Sequence, residues 1–253
     1  MATYRDQGIV LRTYKLGETD RIINFLCQSR GKVRAVAKGV RRPGSRFGGR
    51  LEPFSHVDLQ LYEGRNLDVV NQAELIAPHA HVRSDYDLSA CASVMAELAD
   101  VAAQEGERDN ALFLQLRAGL QALEAGPDNP AVFVDAYLFR VASIVGFHVY
   151  TDACARCRKP GPHSFLSVKG GGTLCADCAP TGTRAVDPSV IRAVSLLANP
   201  GEFASLPALA VEHPAAMRTA ASYIRTFVEH HLDRRLRSYD ALVRDEGLID
   251  GSR

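Results

Sequence analysis

The chain has 253 residues, of which 46% are hydrophobic, and its formal net charge is +1 at pH 7. A chain of this length and apolar content can bury a sizeable core, and two units are expected. The net charge by itself favours no class of partner. No apolar run follows a basic start, and no stretch reaches the ~18 apolar residues of a membrane span. We therefore expect a cytoplasmic protein that does not enter a membrane.

Five short strands are predicted in the first 80 residues. Apolar residues there cluster or alternate between turn sequences, at residues 8–14, 21–27, 32–38, 57–62 and 67–75. A long loop separates the third strand from the fourth. This arrangement predicts a small closed barrel, and the OB-fold is the five-stranded barrel that often binds oligonucleotides.

Positive charge is concentrated between residues 30 and 50, where no acidic residue occurs. Side chains of a strand alternate between its two faces. The third strand therefore presents Val33, Ala35 and Ala37 on one face and its cations on the other. The candidate nucleic-acid-binding residues are those of this strand and the glycine-rich loop that follows: Lys32, Arg34, Lys38, Arg41, Arg42, Arg46, Arg50 and Phe47.

Phe47, with Tyr62 or Tyr14 nearby, is predicted to stack on bases. If about six to eight of the cations meet phosphates of a single strand, log K should fall against log salt with a slope of about −4 to −6. Little base preference is expected, because no base-edge code is evident. The loop is too rich in glycine and charge to pack, and it is suited to wrap a flexible ligand. The alternative interpretation is a solvated strand edge followed by a disordered loop.

Helical spacing of apolar residues begins after residue 80, and the first long helix is predicted to start behind Asp87 as its N-cap. We expect the barrel at residues 1–80, a helical domain at 81–150 and 183–245, a cysteine module inserted at 151–182, and a flexible tail at 246–253. A second basic cluster near the end of the last helix either complements the helix dipole or extends a DNA path. It contains Arg225, Arg234, Arg235 and Arg237.

Two Cys-x-x-Cys pairs, separated by a strand-turn-strand pattern, are the most specific chemical signal. The cysteines are Cys154, Cys157, Cys175 and Cys178. This spacing predicts one structural zinc ion held by four thiolates in a zinc ribbon. Two disulfides are the alternative, which an intracellular location disfavours. Substitution of a ligand by His148 or His163 is less favoured, and Cys27 and Cys91 fit the apolar core.

No catalytic set is evident, so a binding protein is favoured over an enzyme. The segment from Gly39 to Ser45 lacks the lysine of a phosphate-binding loop and contains a proline, so no nucleotide cofactor is expected. No Gly-x-Ser-x-Gly elbow occurs. Four thiolates would leave no open position for water, which argues against a metal-dependent hydrolase.

The chain resembles the bacterial RecO family along almost its whole length. The resemblance is carried by residues 8–20, 31–42, 51–54, 171–178 and 231–238, which include GIVLRTYKLGETD, GKVRAVAKGVRR and LEPF. It implies an α+β multidomain protein with an N-terminal OB-fold barrel and a helical domain carrying an inserted four-cysteine zinc finger. Some members of the family lack the four cysteines, so the metal is expected to be architectural.

The resemblance also implies a function in DNA repair and recombination, with the bacterial nucleoid as its location. The expected activities are binding of single- and double-stranded DNA, annealing of complementary strands and, with RecR, loading of RecA onto DNA coated by single-strand-binding protein. The alternative function is a zinc-ribbon adaptor that binds nucleic acid in transcription or RNA metabolism. An assay of strand annealing separates the two.

Overall fold

The computed structural model describes residues 2–199, 210–240 and 242. The chain divides into two compact units, one of Met1–Pro130 with Leu236–Arg253 and one of Ala131–Arg235. The tail predicted at 246–253 lies outside the described residues. Among the helices that the structure describes, none combines the length and the hydropathy needed to cross a membrane.

A closed five-stranded barrel forms the first part of the chain. Its strands are β1 (Thr3–Leu16), β2 (Asp20–Cys27), β3 (Gly31–Ala37), β4 (His56–Tyr62) and β5 (Asp68–Ala77). Their order around the barrel is β1-β2-β3-β5-β4. β1 is 14 residues long and pairs with both β2 and β4. A short parallel pairing between β3 and β5 closes the barrel, which confirms the predicted OB-like architecture.

The barrel core follows from strand alternation. Val33, Ala35 and Ala37 of β3 all point inward and are buried with side chains of the other strands, as predicted. Cys27 is also fully buried in this core, and Cys91 is 1% exposed on the following helical region, so both act as small apolar residues.

Three helices follow the barrel in the same unit: α1 (Ala80–Ser84), α2 (Tyr86–Ala102) and α3 (Asn110–Glu124). The prediction that Asp87 caps α2 was wrong. The N-cap is Asp85, whose extended backbone lets its side chain accept a hydrogen bond from the Leu88 amide at 2.9 Å. A separate helical stretch at residues 237–240 belongs to this unit as well.

A buried carboxylate joins α2 to the barrel and to the C-terminal stretch. Glu97 is 6% exposed, and its Oε1 lies 3.1 Å from Arg12 Nη2 on β1. Its Oε2 accepts a hydrogen bond from the Ser238 amide at 2.7 Å. A charge buried to this degree needs both partners, so Glu97 fixes three segments of the unit together.

The second unit contains helices and a small hairpin. Its elements are α4 (Pro130–Ile144), β6 (Phe165–Ser167), β7 (Gly172–Leu174), α5 (Pro188–Ala198) and α6 (Pro214–His231). The first residue of α4, Pro130, is the last residue of the first unit before the division. α4, α5 and α6 each begin with proline, which suits the first helical position because its missing N–H has no partner there. Asp187 caps α5 by accepting a hydrogen bond from the Ser189 amide at 2.8 Å.

Candidate nucleic-acid interface and metal centre

The loop between β3 and β4 is anchored to the barrel rather than unpacked, contrary to the sequence-based expectation. Val40, Phe47 and Leu51 are buried in the barrel core cluster. Between them, the backbone forms consecutive tight turns, with hydrogen bonds of 3.0 to 3.1 Å from the amides of residues 42, 45, 48 and 50 to carbonyls three residues earlier. The apolar residues hold the loop in place, so its charged residues project from a defined backbone.

Phe47 does not have the position that base stacking requires. Its side chain is 1% exposed and packs inside the barrel. A ring at this place reaches a base only by leaving the core, so the prediction that Phe47 stacks on bases is corrected to a structural role. Tyr14 and Tyr62 are 46% and 41% exposed and keep accessible rings.

Five of the predicted cations form an exposed set on and beside this loop, which we call the loop cations: Lys38, Arg41, Arg42, Arg46 and Arg50. None of their charged nitrogens lies within 4.0 Å of a described carboxylate oxygen, and the hydrogen bonds of Arg41 and Arg50 are with backbone carbonyls. Arg41 Nη1 donates to the Gly17 carbonyl at 3.3 Å, and Arg50 Nη1 to the Arg46 carbonyl at 2.6 Å. Their charges therefore face solvent.

Asp20 connects the start of β2 to this loop. Its Oδ1 accepts hydrogen bonds of 2.8 Å from the Gly39 amide and from the Thr19 hydroxyl. These bonds, first that of Gly39, together with the nearby charges of Arg42 and Lys38, lower the pKa of Asp20. The carboxylate positions the start of the loop and offsets part of the positive charge of Arg42 and Lys38.

The two predicted cations on β3, Lys32 and Arg34, which we call the strand cations, have a different environment from the loop cations. Lys32 is largely buried, with Nζ 2.9 Å from Asp100 Oδ1 and 2.7 Å from the Asp100 carbonyl oxygen. Arg34 Nη1 lies 3.9 Å from Glu105 Oε1, and both side chains are exposed. The expected continuous row on β3 is thus interrupted, because acidic residues that follow the barrel cover its first part.

The second basic cluster is divided between the two units. Arg225 pairs with Glu229 Oε1 at 3.5 Å within α6. Arg234 and Arg235 are exposed beyond the end of α6, and Arg237 is exposed in the first unit. A role of this cluster in DNA binding stays a prediction.

The four predicted cysteines meet in the second unit. The sulfur atoms of Cys154, Cys157, Cys175 and Cys178 all lie within 4.8 Å of one another, and none forms a disulfide. The two candidate histidine substitutes have other partners: His148 Nδ1 lies 2.7 Å from Ser143 Oγ, and His163 Nε2 lies 2.8 Å from the Lys159 carbonyl. The cluster could hold one metal ion.

Local backbone structure brings the two cysteine pairs together. In the first pair, Arg158 adopts a left-handed conformation (φ 64°), and its amide donates to the Cys154 carbonyl at 2.8 Å. β7 then leads directly into Cys175. Gly172, at its start, is required because a Cβ there would lie 2.0 Å from the Tyr150 carbonyl oxygen. The result is two turns joined by a hairpin.

Backbone amides favour the charged form of one of the four thiols. Burial raises the pKa of the Cys154 thiol, but amide donors of Cys157, Cys175 and Arg156 outweigh it and lower the pKa to about 6. Hydrogen bonds with the other thiols, first that of Cys175, raise the pKa of Cys178 to about 12. One thiolate is therefore already stabilised by the backbone, as metal ligation requires.

Two side chains of α6 attach the hairpin to the helix. The Tyr223 hydroxyl donates to the Ser167 carbonyl at 3.2 Å. His231 Nε2 lies 3.1 Å from the Val168 carbonyl, and its ring packs 4.3 Å from Phe227 and 4.9 Å from Phe147, measured between centroids. The metal module is thus packed on the helical part of its own unit.

The fold and the cysteine cluster define an α+β protein with an OB-type barrel, a helical region and a candidate metal module. The family described as Recombination protein O N terminal matches residues 1–79, and the family described as Recombination protein O C terminal matches residues 83–240. Together the two matches cover nearly the whole chain. The chain belongs to the RecO family of DNA repair proteins.

Curated relatives agree with this assignment over nearly their full length. The chain is 42% identical to the DNA repair protein RecO of Frankia casuarinae over 246 residues, covering 96% of this chain and 100% of the relative. It is 43% identical to the RecO of a Nocardioides species over 243 residues, covering 93% and 97%. For the RecO of Cutibacterium acnes the identity is 42% over 250 residues, covering 96% and 100%.

Proposed function

We propose that the protein is a DNA repair and recombination mediator without catalytic activity. It binds single- and double-stranded DNA, anneals complementary strands and, with RecR, helps load RecA onto DNA coated by single-strand-binding protein. Its place of action is the bacterial nucleoid in the cytoplasm. Membership of the RecO family supports the biological role, and the loop cations support the binding mode.

The observation that carries the proposal is the exposed charge on an anchored loop. Lys38, Arg41, Arg42, Arg46 and Arg50 face solvent without a described carboxylate partner, on a backbone held by three buried apolar residues. Cations that meet phosphates release condensed counterions, which makes binding favourable and dependent on salt. Because the loop is fixed, little conformational entropy is lost when DNA binds.

Annealing follows from the same charges. Two phosphate backbones repel each other, and cations that replace their counterions lower this barrier while the bases stay free to pair. The buried position of Phe47 is compatible with this mode of binding, because phosphate contacts alone hold the strand and leave its bases accessible. No nucleotide hydrolysis is needed for this step.

We also propose that the metal is zinc. In a tetrahedral site with sulfur ligands about 2.3 Å from the ion, neighbouring sulfurs are about 3.8 Å apart. The distance between the sulfurs of Cys157 and Cys175, 3.7 Å, fits this edge. Four thiolates complete the coordination, so Cys154, Cys157, Cys175 and Cys178 would hold the ion in an architectural role.

Charge reversal in the loop tests the proposal. We expect Arg41→Glu with Arg42→Glu to reduce single-strand affinity and the rate of annealing at least tenfold, because two attractive contacts become repulsive. The matched control is Lys169→Glu with Arg184→Glu, which makes the same change of net charge at exposed positions of the second unit that form no ion pair with a described residue. Both variants are first checked for folding by circular dichroism. Equal losses in the two variants, or no loss in the first, would contradict the proposal.

A further inference from the structure

A segment that follows α2 runs along the edge of β3. Residue 105 forms bridges with Gly31 and Lys32, the Lys32 amide donates to the Gln104 carbonyl at 3.4 Å, and the Gly106 amide donates to the Lys32 carbonyl at 3.5 Å. β5 pairs with β3 only further along, at residues 35 and 36. The segment therefore covers backbone that the barrel leaves unpaired.

The contact is close enough to require glycine on the strand. Gly31 has φ 65°, and a Cβ there would lie 1.8 Å from the Glu107 carbonyl oxygen. Two surface loops that touch by chance would not require a glycine where their backbones meet. The segment is thus a built part of the barrel surface, lying in the same compact unit.

The end of α2 and this segment together carry the carboxylates that meet the strand cations, with Asp100 in the last turn of α2 and Glu105 in the segment. Lys32 and Asp100 are only 17% and 15% exposed in their side chains, and Asn24 Nδ2 adds a hydrogen bond to Asp100 Oδ1 at 3.3 Å. Glu105, 62% exposed, faces Arg34 from 3.9 Å. The first pair is sheltered and held by further hydrogen bonds, whereas the second pair is open to solvent.

We propose that the last turn of α2 and the segment behind it, residues 100–107, which we call the acidic segment, occupy the phosphate positions beside β3 and so set one limit of the DNA path. This inference rests on the proposed DNA-binding function. Nucleic acid binds along the loop cations, Lys32 stays with Asp100, and Arg34 contacts a phosphate only when the strand displaces Glu105. The acidic segment thereby lowers affinity for any polyanion at one edge of the site and confines the strand to the loop.

The two ion pairs differ in how readily a phosphate replaces them. Separating Lys32 from Asp100 leaves a sheltered carboxylate without its cation, which is unfavourable. The exposed Arg34 to Glu105 contact contributes little to stability, as surface ion pairs generally do. Arg34 is therefore the residue whose availability Glu105 controls.

Glu105→Gln is the principal test, with Glu107→Gln as its matched control. Both residues are exposed and lie in the same segment, but only Glu105 faces a strand cation. In fluorescence titrations of single-stranded oligonucleotide at low salt, we expect Glu105→Gln to raise affinity up to about fivefold more than the control does. Its salt slope should steepen by about 0.7, since one more phosphate is neutralised. Equal effects of the two substitutions would overturn the inference.

A second pair of variants tests the assignment of Lys32. We expect Lys32→Gln to leave the salt slope unchanged, because Lys32 neutralises Asp100 and not DNA. Arg42→Gln should make the slope shallower by about 0.7. A loss of slope in Lys32→Gln equal to that in Arg42→Gln would overturn the inference. If Lys32→Gln does not fold, the comparison of the two exposed glutamates decides alone.

Failure of the inference can be separated from failure of the proposed function. If Arg42→Gln weakens binding while the two glutamate variants behave alike, DNA binds the loop and the acidic segment has no part in it. If Arg42→Gln changes neither affinity nor slope, the loop is not the DNA site, and both proposals fall.

Discussion

A buried histidine at the start of β4 makes the stability of the barrel unit depend on pH. His56 is 3% exposed, its ring lies edge-on to Phe113 with centroids 5.7 Å apart, and its Nε2 has no hydrogen-bond partner among the described residues. Burial, and then the charges of Arg117 and His79, lower the pKa of His56 to about 4. A proton on this ring would be unfavourable, so the folded protein keeps it neutral.

The magnitude follows from linkage. The unfolded chain binds a proton at His56 below about pH 6.5, whereas the folded protein binds it only below about pH 4. Above about pH 6.5 the ring is neutral in both states and costs nothing. The free energy of unfolding then decreases as the pH falls from about 6.5 to about 4. For one such group, the loss between pH 7 and pH 5 is about 2 kcal/mol, and over the whole window about 3 kcal/mol.

The substitution His56→Phe removes the titration while keeping an aromatic ring beside Phe113. We expect the urea midpoint of the wild type to fall more steeply between pH 7 and pH 5 than that of the variant, by the equivalent of about 2 kcal/mol. His213→Gln, at an exposed position without a side-chain capping bond, is the control and should titrate like the wild type. Parallel pH profiles for wild type and His56→Phe would refute the reasoning.

Three further predictions concern the metal module and the buried carboxylate. Cys178→Ser should abolish retention of one zinc equivalent and expose the remaining thiols to a thiol reagent, and retention of the full equivalent would contradict the four-sulfur site. Tyr223→Phe removes the hydroxyl group that donates a hydrogen bond to the hairpin, and such a bond contributes about 1 kcal/mol. Release of zinc to a chelator should therefore become about fivefold faster. An unchanged release rate would show that the bond does not support the hairpin. Glu97→Gln should lower stability by about 2 kcal/mol in urea unfolding, because the part-exposed Arg12 loses its charged partner and the Ser238 amide keeps only a neutral acceptor. Glu229→Gln, in the α6 pair, should cost less than about 1 kcal/mol. Equal costs for the two glutamates would show that Glu97 is not the junction described.

The features that the sequence predicted correctly depend on local patterns. The strands follow from alternation, and the cysteine cluster follows from two short spacings joined by a hairpin, so each could be recognised within a few residues. The helix α1 was missed. It is five residues long, and its N-cap, His79, makes no side-chain capping bond, so it lacks the usual start signal.

The surface of the barrel was harder to predict, because alternation shows which face a side chain takes and not what covers that face. Lys32 does point out of the barrel, but its partner Asp100 lies 68 residues further along the chain. Phe47 stands alone among glycine and charged residues, and nothing nearby in sequence distinguishes a buried anchor from an exposed ring. Asp100 and Glu105 carry no motif, so only the fold reveals their contact with β3.

The salt dependence of single-strand binding tests the central claim most directly. The loop cations should together give a slope of log K against log salt of about −3.5, less steep than the value expected when the strand cations are included. The variant in which all five loop cations are replaced by Gln, once shown to be folded, should bind weakly and with a slope close to zero. Retention of the wild-type affinity and slope in this variant would contradict the account.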